Sequence, residues 1–259
     1  MNAPSRRPGF PARLGTGSAP RSHHFAPRRA APAPAPQTPV VRDAIAARAR
    51  MIERLMAGGI TDEALLRALG AVDRRHFVDS ALAQRAYDDD ALPIGMGQTI
   101  SKPSIVARMV QLLVQGGVRA PDGGRLGRVL EIGTGCGYQA VLLGQLAAEV
   151  YSIERLRALH EKARANLRPL RVPNVHLIFG DGMAGFPQGA PYAGIIAAAG
   201  GEAVPAAWVE QLAVGGRIVA PVAQAGGAQA LVVIDKTMHG IEHRVLEAVR
   251  FVPLKSGIS

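Results

Sequence analysis

The 259-residue chain has one cysteine, few aromatic residues (4%) and no long apolar run. The lone Cys136 excludes an intrachain disulfide and suits a reducing, cytoplasmic setting. No apolar run reaches the roughly 18 residues that a membrane-spanning helix needs, so no membrane partner is expected. The histidines lack metal-ligand spacing; His239 and His243 are four apart, but Gly240 between them argues against a shared helix face. No metal site is expected. Residues 1–39 lack Asp, Glu and Lys altogether, yet hold six arginines and nine of the 19 prolines. Such a segment has too little apolar surface to offset its ordering entropy. It reads as a disordered Arg/Pro/Ala-rich tail without the continuous apolar core of a secretory signal. Beyond it the charge is mild, 24 basic against 20 acidic residues. Weak attachment of the tail to nucleic acid is an alternative; no specific nucleic-acid partner is expected.

What is abundant is apolar sequence (48%) and glycine (30 residues), and both meet at one place. The run Val129-Leu130-Glu131-Ile132 leads into Gly133-Thr134-Gly135-Cys136-Gly137, and a helical pattern carrying Val141, Leu142 and Leu146 follows. A buried parallel strand reads as such a run. The glycines let the backbone turn sharply and approach a ligand. The unit is a strand, a Gly-rich turn and a helix, the cradle of a nucleotide-type cofactor. Its G-x-G-x-G spacing departs from the dinucleotide fingerprint G-x-G-x-x-G, and Glu131 stands just ahead of it. A carboxylate repels a pyrophosphate and attracts an ammonium group. S-adenosyl-L-methionine carries an α-ammonium and a sulfonium and no phosphate, so it is favoured over NAD. A tight turn without ligand is the plain alternative. Cys136 reads as a small packing residue of this turn.

Two further acids follow strand-like runs. Val150 to Ile153 ends in Glu154, about 20 residues after the first glycine, where ribose hydroxyls are held. Val175 to Phe179 ends in Gly180-Asp181-Gly182; Asp181 can accept from an adenine amino group, or be an ordinary Asp-Gly turn. Ligands of open α/β sheets bind beyond the carboxyl ends of strands, and Glu131, Glu154 and Asp181 all fall there.

The remaining pattern fills in an α/β domain. Helices are expected at Ala44 to Met56, after a Thr61 cap, and from Pro103 onward. In the last case Ser101 reads, on local physics, as a helix cap. Residues 116–127 are a Gly-rich linker into the first sheet strand. Further strands are expected at 193–198, 217–221, 230–234 and 244–249. A short helix from Pro205 through Leu212 ends at Gly215-Gly216. The last two strands lack room for a helix between them and should pair antiparallel.

The stretch Ala91-Leu92-Pro93-Ile94-Gly95, Gly97-Gln98-Thr99-Ile100-Ser101 and Pro103 is the most specific in the chain. With Tyr87-Asp88, Val129 to Gly137, Gly180-Asp181-Gly182, Gly215-Gly216 and Phe251-Val252-Pro253-Leu254, it resembles the protein-L-isoaspartate O-methyltransferase family over about residues 45–254. The resemblance implies a Rossmann-like S-adenosylmethionine-dependent fold with a mostly parallel sheet and a C-terminal antiparallel hairpin. It implies a single domain over 40–259, with a substrate-side segment at 40–127 and the cofactor-binding sheet at 128–259. It implies methyl transfer to the free α-carboxylate of L-isoaspartyl residues in damaged proteins and peptides, leading through a succinimide to normal aspartate. Ser101 is then the catalytic residue, Thr99, Ile100 and Ser101 contact substrate, and Glu131, Gly133, Thr134, Gly135, Cys136, Gly137, Glu154, Asp181 and Gly182 hold the cofactor. No metal is required, and a monomer is expected.

The chain departs from the family at Lys102, where Gln is frequent, at Ser104, where an aromatic is frequent, and at Ala198-Ala199-Gly200-Gly201-Glu202, where Ala-Pro is usual. Other classes fit less well. A nucleic-acid amino-methylating enzyme calls for Asn/Asp-Pro-Pro-Tyr after the fourth strand. A metal-dependent O-methyltransferase needs clustered carboxylates near the methyl group. A binding module without catalysis would not need Ser101 beside a complete cofactor cradle.

Overall fold

The computed structural model describes residues 39–121 and 123–259. The tail expected at 1–39 lies outside the described residues except for Pro39. Helix α1 (Pro39–Ala57) starts there, five residues ahead of the expected Ala44, and α2 (Glu63–Ala71) follows. The expected Thr61 cap is corrected to Asp62, whose carboxylate accepts from the Leu65 backbone N–H at 2.8 Å. A side chain one residue nearer the helix reaches that orphan donor. The Thr61 and Asp62 N–H groups instead donate to the Gln111 side-chain oxygen.

Two short 3₁₀ turns, Arg74–Phe77 and Ser80–Arg85, lead to a hairpin of β1 (Leu92–Gly95) and β2 (Gln98–Ile100). Helix α3 (Pro103–Gly116) follows, with Pro103 in its first turn. It is one of the most buried helices, and Val106, Met109, Val110 and Leu113 pack into the core. The expected 116–127 linker is shorter than its bounds, because α3 runs through Gly116 and the next strand begins at Leu126.

From there strands and helices alternate: β3 (Leu126–Ile132), α4 (Tyr138–Leu146), β4 (Ala147–Glu154), α5 (Arg157–Leu167), β5 (Val175–Phe179), β6 (Tyr192–Ala197), α6 (Ala206–Gln211), β7 (Leu212–Ala223), β8 (Gln229–Thr237) and β9 (Gly240–Val249). The seven-stranded sheet has the order β5-β4-β3-β6-β7-β8-β9. Strands β5, β4, β3, β6 and β7 run parallel to one another, β8 is antiparallel to β7, and β9 is antiparallel to β8. Right-handed crossovers force a parallel sheet to be covered on both faces. Strand β6 is accordingly buried at every position. The chain leaves β3 for β4 on one side, and β6 flanks β3 on the other, so the switch point of the sheet falls beside the end of β3.

Two expectations in this part need correction. Leu212 opens β7 rather than lying on the α6 face, and Gly215-Gly216 lie inside β7 rather than ending a helix. Between the pairs Tyr192↔Leu212 and Gly194↔Arg217 the longer strand carries extra residues, and Gly215 absorbs them at φ 82°. A glycine pair here marks an irregular strand, not a helix stop. His239 and His243 lie on the β8–β9 hairpin, away from any shared helix face.

Candidate active site

The Gly-rich turn after β3 is built as its glycines require. Gly133, Gly135 and Gly137 have φ of 90°, 57° and 90°, a region that L side chains rarely adopt. At Gly137 a Cβ would also stand 2.5 Å from Leu167 Cδ1. The turn is tied to the neighbouring strand: Gly133 and Thr134 N–H both donate to the Ile153 carbonyl.

Glu154 at the end of β4 fixes the turn from the other side. One carboxylate oxygen accepts from Gly135 N–H and the other from Leu156 N–H, each at 2.9 Å. Ionised carboxylates offer about four acceptor positions, and these two bonds leave capacity for a ligand. Glu131 is fully buried under the turn and does not line the cavity described below. It accepts from Gln139 Nε2 at 3.0 Å and from the Ser152 hydroxyl in a short bond, and Ser152 lies 2.7 Å from the Thr134 hydroxyl. Burial pushes its pKa up to about 8, against the pull of Ser152 and Gln139, and the Glu154 charge adds to the rise. Cys136 is also buried, and burial raises its thiol pKa, so it stays protonated at neutral pH and fits a packing role.

Asp181 stands at the end of β5, but its two oxygens accept from Met183 N–H (2.8 Å) and Gly257 N–H (2.7 Å). It caps its own turn and anchors the C-terminal segment, and its neighbour Gly182 lines the cavity instead. At Gly182 a Cβ would meet Ile132 Cγ2 at 2.5 Å, so only glycine lets this turn approach β3 so closely.

A cavity of about 430 Å³ lies beyond the ends of β3 and β4. Its floor is the turn from Gly133 to Cys136 with Glu154. Thr99, Ile100 and Ser101 form one wall, and Val252 to Lys255 form another. Tyr138, at the start of α4, also faces it. A second cavity of about 450 Å³ lies next to it, bordered by Lys102, Ile105, Arg250 and Phe251. Thr99, Ser101, Ala198 and Val252 line both. Ser101 therefore stands at the boundary between the two.

The expected capping role of Ser101 is corrected here. The N-cap of α3 is Lys102, without a side-chain cap bond. The first-turn N–H of Ser104 goes to Asp89 Oδ1, and the Ser104 hydroxyl donates to Asp89 Oδ2, both at 2.8 Å. The serine that departs from the family pattern is thus the one that ties the helix start to the preceding loop. Among the described residues the Ser101 hydroxyl has no hydrogen-bond partner, whereas its carbonyl accepts from Arg74 Nη2 at 2.8 Å.

Local pattern did not point to the C-terminal wall. Phe251 to Leu254 carries no periodicity, yet Gly200 pairs with it through Gly200 N–H to Val252 O and Leu254 N–H to Gly200 O, both 2.8 Å. Arg74 was also missed, because a buried arginine looks like any surface arginine in sequence.

A mostly parallel sheet with a glycine turn and an acidic strand end at its switch point defines a Rossmann-like methyltransferase-type domain. Within that class, the chain belongs to the Protein-L-isoaspartate(D-aspartate) O-methyltransferase (PCMT) family, whose model matches residues 46–259. It is 60% identical over 215 residues to a Protein-L-isoaspartate O-methyltransferase of Leptothrix cholodnii, covering 82% of this chain and 74% of that one. It is 58% identical over 212 residues to the protein of the same name from Methylibium petroleiphilum, covering 81% and 77%. A solved protein-L-isoaspartate O-methyltransferase superposes with a TM-score of 0.72 at 26% identity, covering 82% of this chain and 67% of that chain. A PCMT structure from Plasmodium falciparum, in complex with S-adenosyl-L-homocysteine, shares the fold at a TM-score of 0.67 and 23% identity, over 80% and 97% of the two chains.

Proposed function

We propose that the protein is a repair methyltransferase that moves a methyl group from S-adenosyl-L-methionine to the free α-carboxylate of L-isoaspartyl residues in damaged proteins and peptides. The observation that carries this reading is the position of Ser101 on the wall shared by two cavities, one floored by the glycine turn and the other lined by residues of α3 and β9. A transfer between a small cofactor and a macromolecular acceptor needs two compartments that meet at one point.

The residues present fit the cofactor. The glycine turn leaves room that a Cβ would fill, and Glu154 brings a carboxylate with spare acceptor capacity into the cavity. When bound, the cofactor supplies the methyl group: the oxygen–carbon bond forms as the carbon–sulfur bond breaks, its electron pair passing to sulfur. Everything else falls to the protein. Glu154 accepts from the ribose hydroxyls, and Gly133 to Gly137 give the backbone surface. Glu131 acts through Gln139, which lines the cavity. Gly182 borders the adenine side, and Asp181 behind it holds the turn and the C-terminal segment in place. Thr99 and Ile100 hold the acceptor backbone, and the Ser101 hydroxyl donates to the acceptor carboxylate. That carboxylate is ionised at neutral pH and needs no base. What matters is positioning near 3–3.5 Å in a site that Val252 to Lys255 wall on one side. The methyl ester then closes to a succinimide and opens in part to aspartate.

We further propose that residues 40–259 form the working methyltransferase domain and that the protein acts as a monomer in the cytoplasm, consistent with its single buried thiol. No helix among the described residues is long and apolar enough to cross a membrane. Labelled methyl transfer to a peptide containing isoaspartate, beside the same peptide with aspartate, tests the reading. Methylation of the first alone is expected, and equal or absent labelling of both would overturn it.

A further inference from the structure

Arg74 is fully buried at the start of a 3₁₀ turn, and it belongs to none of the cofactor-holding elements. Its Nε donates to the Ala86 carbonyl at 2.7 Å and its Nη2 to the Ser101 carbonyl at 2.8 Å. Its guanidinium carbon lies 4.9 Å from the centre of the Tyr138 ring. Its Nη1 and the Tyr138 hydroxyl are both buried without a hydrogen-bond partner.

Among the described residues no carboxylate forms an ion pair with Arg74. The neighbouring acids are committed elsewhere. Asp73 is bonded to Arg75 and Tyr87, Asp79 accepts from Ala81 N–H, and Asp89 is bonded to Ser104 and paired with Lys102 at 3.8 Å. Asp89 is the one carboxylate among the described residues whose charge is felt at Arg74. A guanidinium stays protonated in proteins. A buried cation without an ion pair is costly; two carbonyls, the Tyr138 ring and the more distant Asp89 charge offset Arg74 only in part, which leaves positive charge behind Ser101. Both groups that Arg74 touches on the cavity side, Ser101 and Tyr138, line the cavity.

We propose that Arg74 is a positioning residue with a second, electrostatic role: it fixes the Ser101 peptide unit, and its unpaired charge behind Ser101 selects an anionic acceptor over a neutral one. This rests on the carboxyl-methylation reading above. The two roles separate in kinetics. The acceptor carboxylate loses its charge as the methyl group arrives, so attraction to Arg74 is greatest before transfer and absent in the ester. The charge therefore acts on acceptor binding and on release of the neutral product. The hold on the Ser101 carbonyl acts on turnover.

The test uses the full chain loaded with S-adenosyl-L-homocysteine and two probes, an isoaspartyl peptide with a free α-carboxylate and the same peptide with an α-carboxamide. Calorimetry is expected to give a preference of about tenfold or more for the carboxylate. In Arg74→Gln that preference should shrink at least about fivefold, with affinity for S-adenosyl-L-homocysteine changed less than about twofold. A loosened fold would weaken both peptides alike, and that result, or an unchanged preference, would overturn the charge role. Arg74→Lys keeps the charge but lacks the fork that spans two carbonyls. It should keep the preference while kcat falls about tenfold, and this variant carries the test if Arg74→Gln does not fold. Parental kcat in folded Arg74→Lys would overturn the positioning role, and a lost preference in it would overturn the charge role. A parent that methylates no isoaspartyl peptide overturns the functional reading before any variant is made; a parent that methylates it but binds both probes equally overturns the Arg74 charge role alone.

Discussion

Ser101 is held by its backbone and leaves its hydroxyl free. That arrangement suits a group whose partner arrives with the substrate. Because Lys102 occupies the N-cap and Asp89 satisfies the Ser104 N–H, Ser101→Ala should leave the melting temperature within about a degree or two. A lost N-cap would instead cost about 1 kcal/mol. The same variant should lose at least about tenfold in kcat/KM for an isoaspartyl peptide, about 1.4 kcal/mol of transition-state binding. Full activity in the folded variant would refute the catalytic role. Glu131 makes a second residue-scale claim. Its carboxyl ordinarily titrates at 4.5 and stands at about 8 in the fold. Between those values the folded chain binds a proton that the unfolded chain has released, so this residue makes stability fall as pH rises from about 4.5 to about 8. Glu131→Gln removes that dependence. Thermal melts across the window should show a flatter curve for the variant than for the parent, and parallel curves would refute the shift.

At the scale of elements, the glycine turn is the most constrained piece of the chain. Gly137→Ala places a Cβ against Leu167 in a left-handed conformation. It should cost more than the 1–2 kcal/mol of the backbone term alone and lower the melting temperature by several degrees. An unshifted melt would mean that α5 gives way at no cost. This turn was also the most legible part of the sequence, since an apolar run, alternating glycines and a helix state their geometry locally. The strands of the parallel sheet were readable for the same reason, and the antiparallel pairing of the last two strands followed from the lack of room for a helix between 234 and 244, a stretch that the structure shortens to two residues because β8 and β9 both extend toward the turn. Legibility failed where tertiary contacts decide. Gly215-Gly216 has the composition of a helix stop, yet the register between β6 and β7 turns it into a strand irregularity. Ser101 has the composition of a cap, yet Asp89, twelve residues upstream, takes the donor that it would have served. The substrate-side assignment of Ser101 came from resemblance, not from spacing. Arg74, with its contacts to Ala86 and Ser101, left no trace in local pattern at all.

At the scale of the whole molecule, two segments far apart in sequence meet at the site. The segment between α2 and α3 supplies Thr99 to Ser101, and the last residues supply Val252 to Lys255. This last segment belongs to no helix or strand. It is held by backbone bonds to Gly200, by Arg155 Nε to the Gly257 carbonyl at 2.9 Å, by Arg157 N–H to the Ser259 carbonyl at 2.8 Å, and by Gly257 N–H to Asp181. Those contacts are few and largely exposed, while the sheet and α3 carry the core. Ending the chain after Phe251 should therefore cost little stability, with the melting temperature down only a few degrees. It should nevertheless open the cofactor cavity to water, lowering affinity for S-adenosyl-L-homocysteine about tenfold or more by calorimetry and reducing turnover with it. The logic is that of a wall: electrostatic and hydrogen-bonding contacts weaken when solvent enters. If the shortened chain bound the cofactor as tightly as the full one, Val252 to Lys255 would be bystanders, and Asp181 would be free to serve adenine rather than to fasten the segment that covers it.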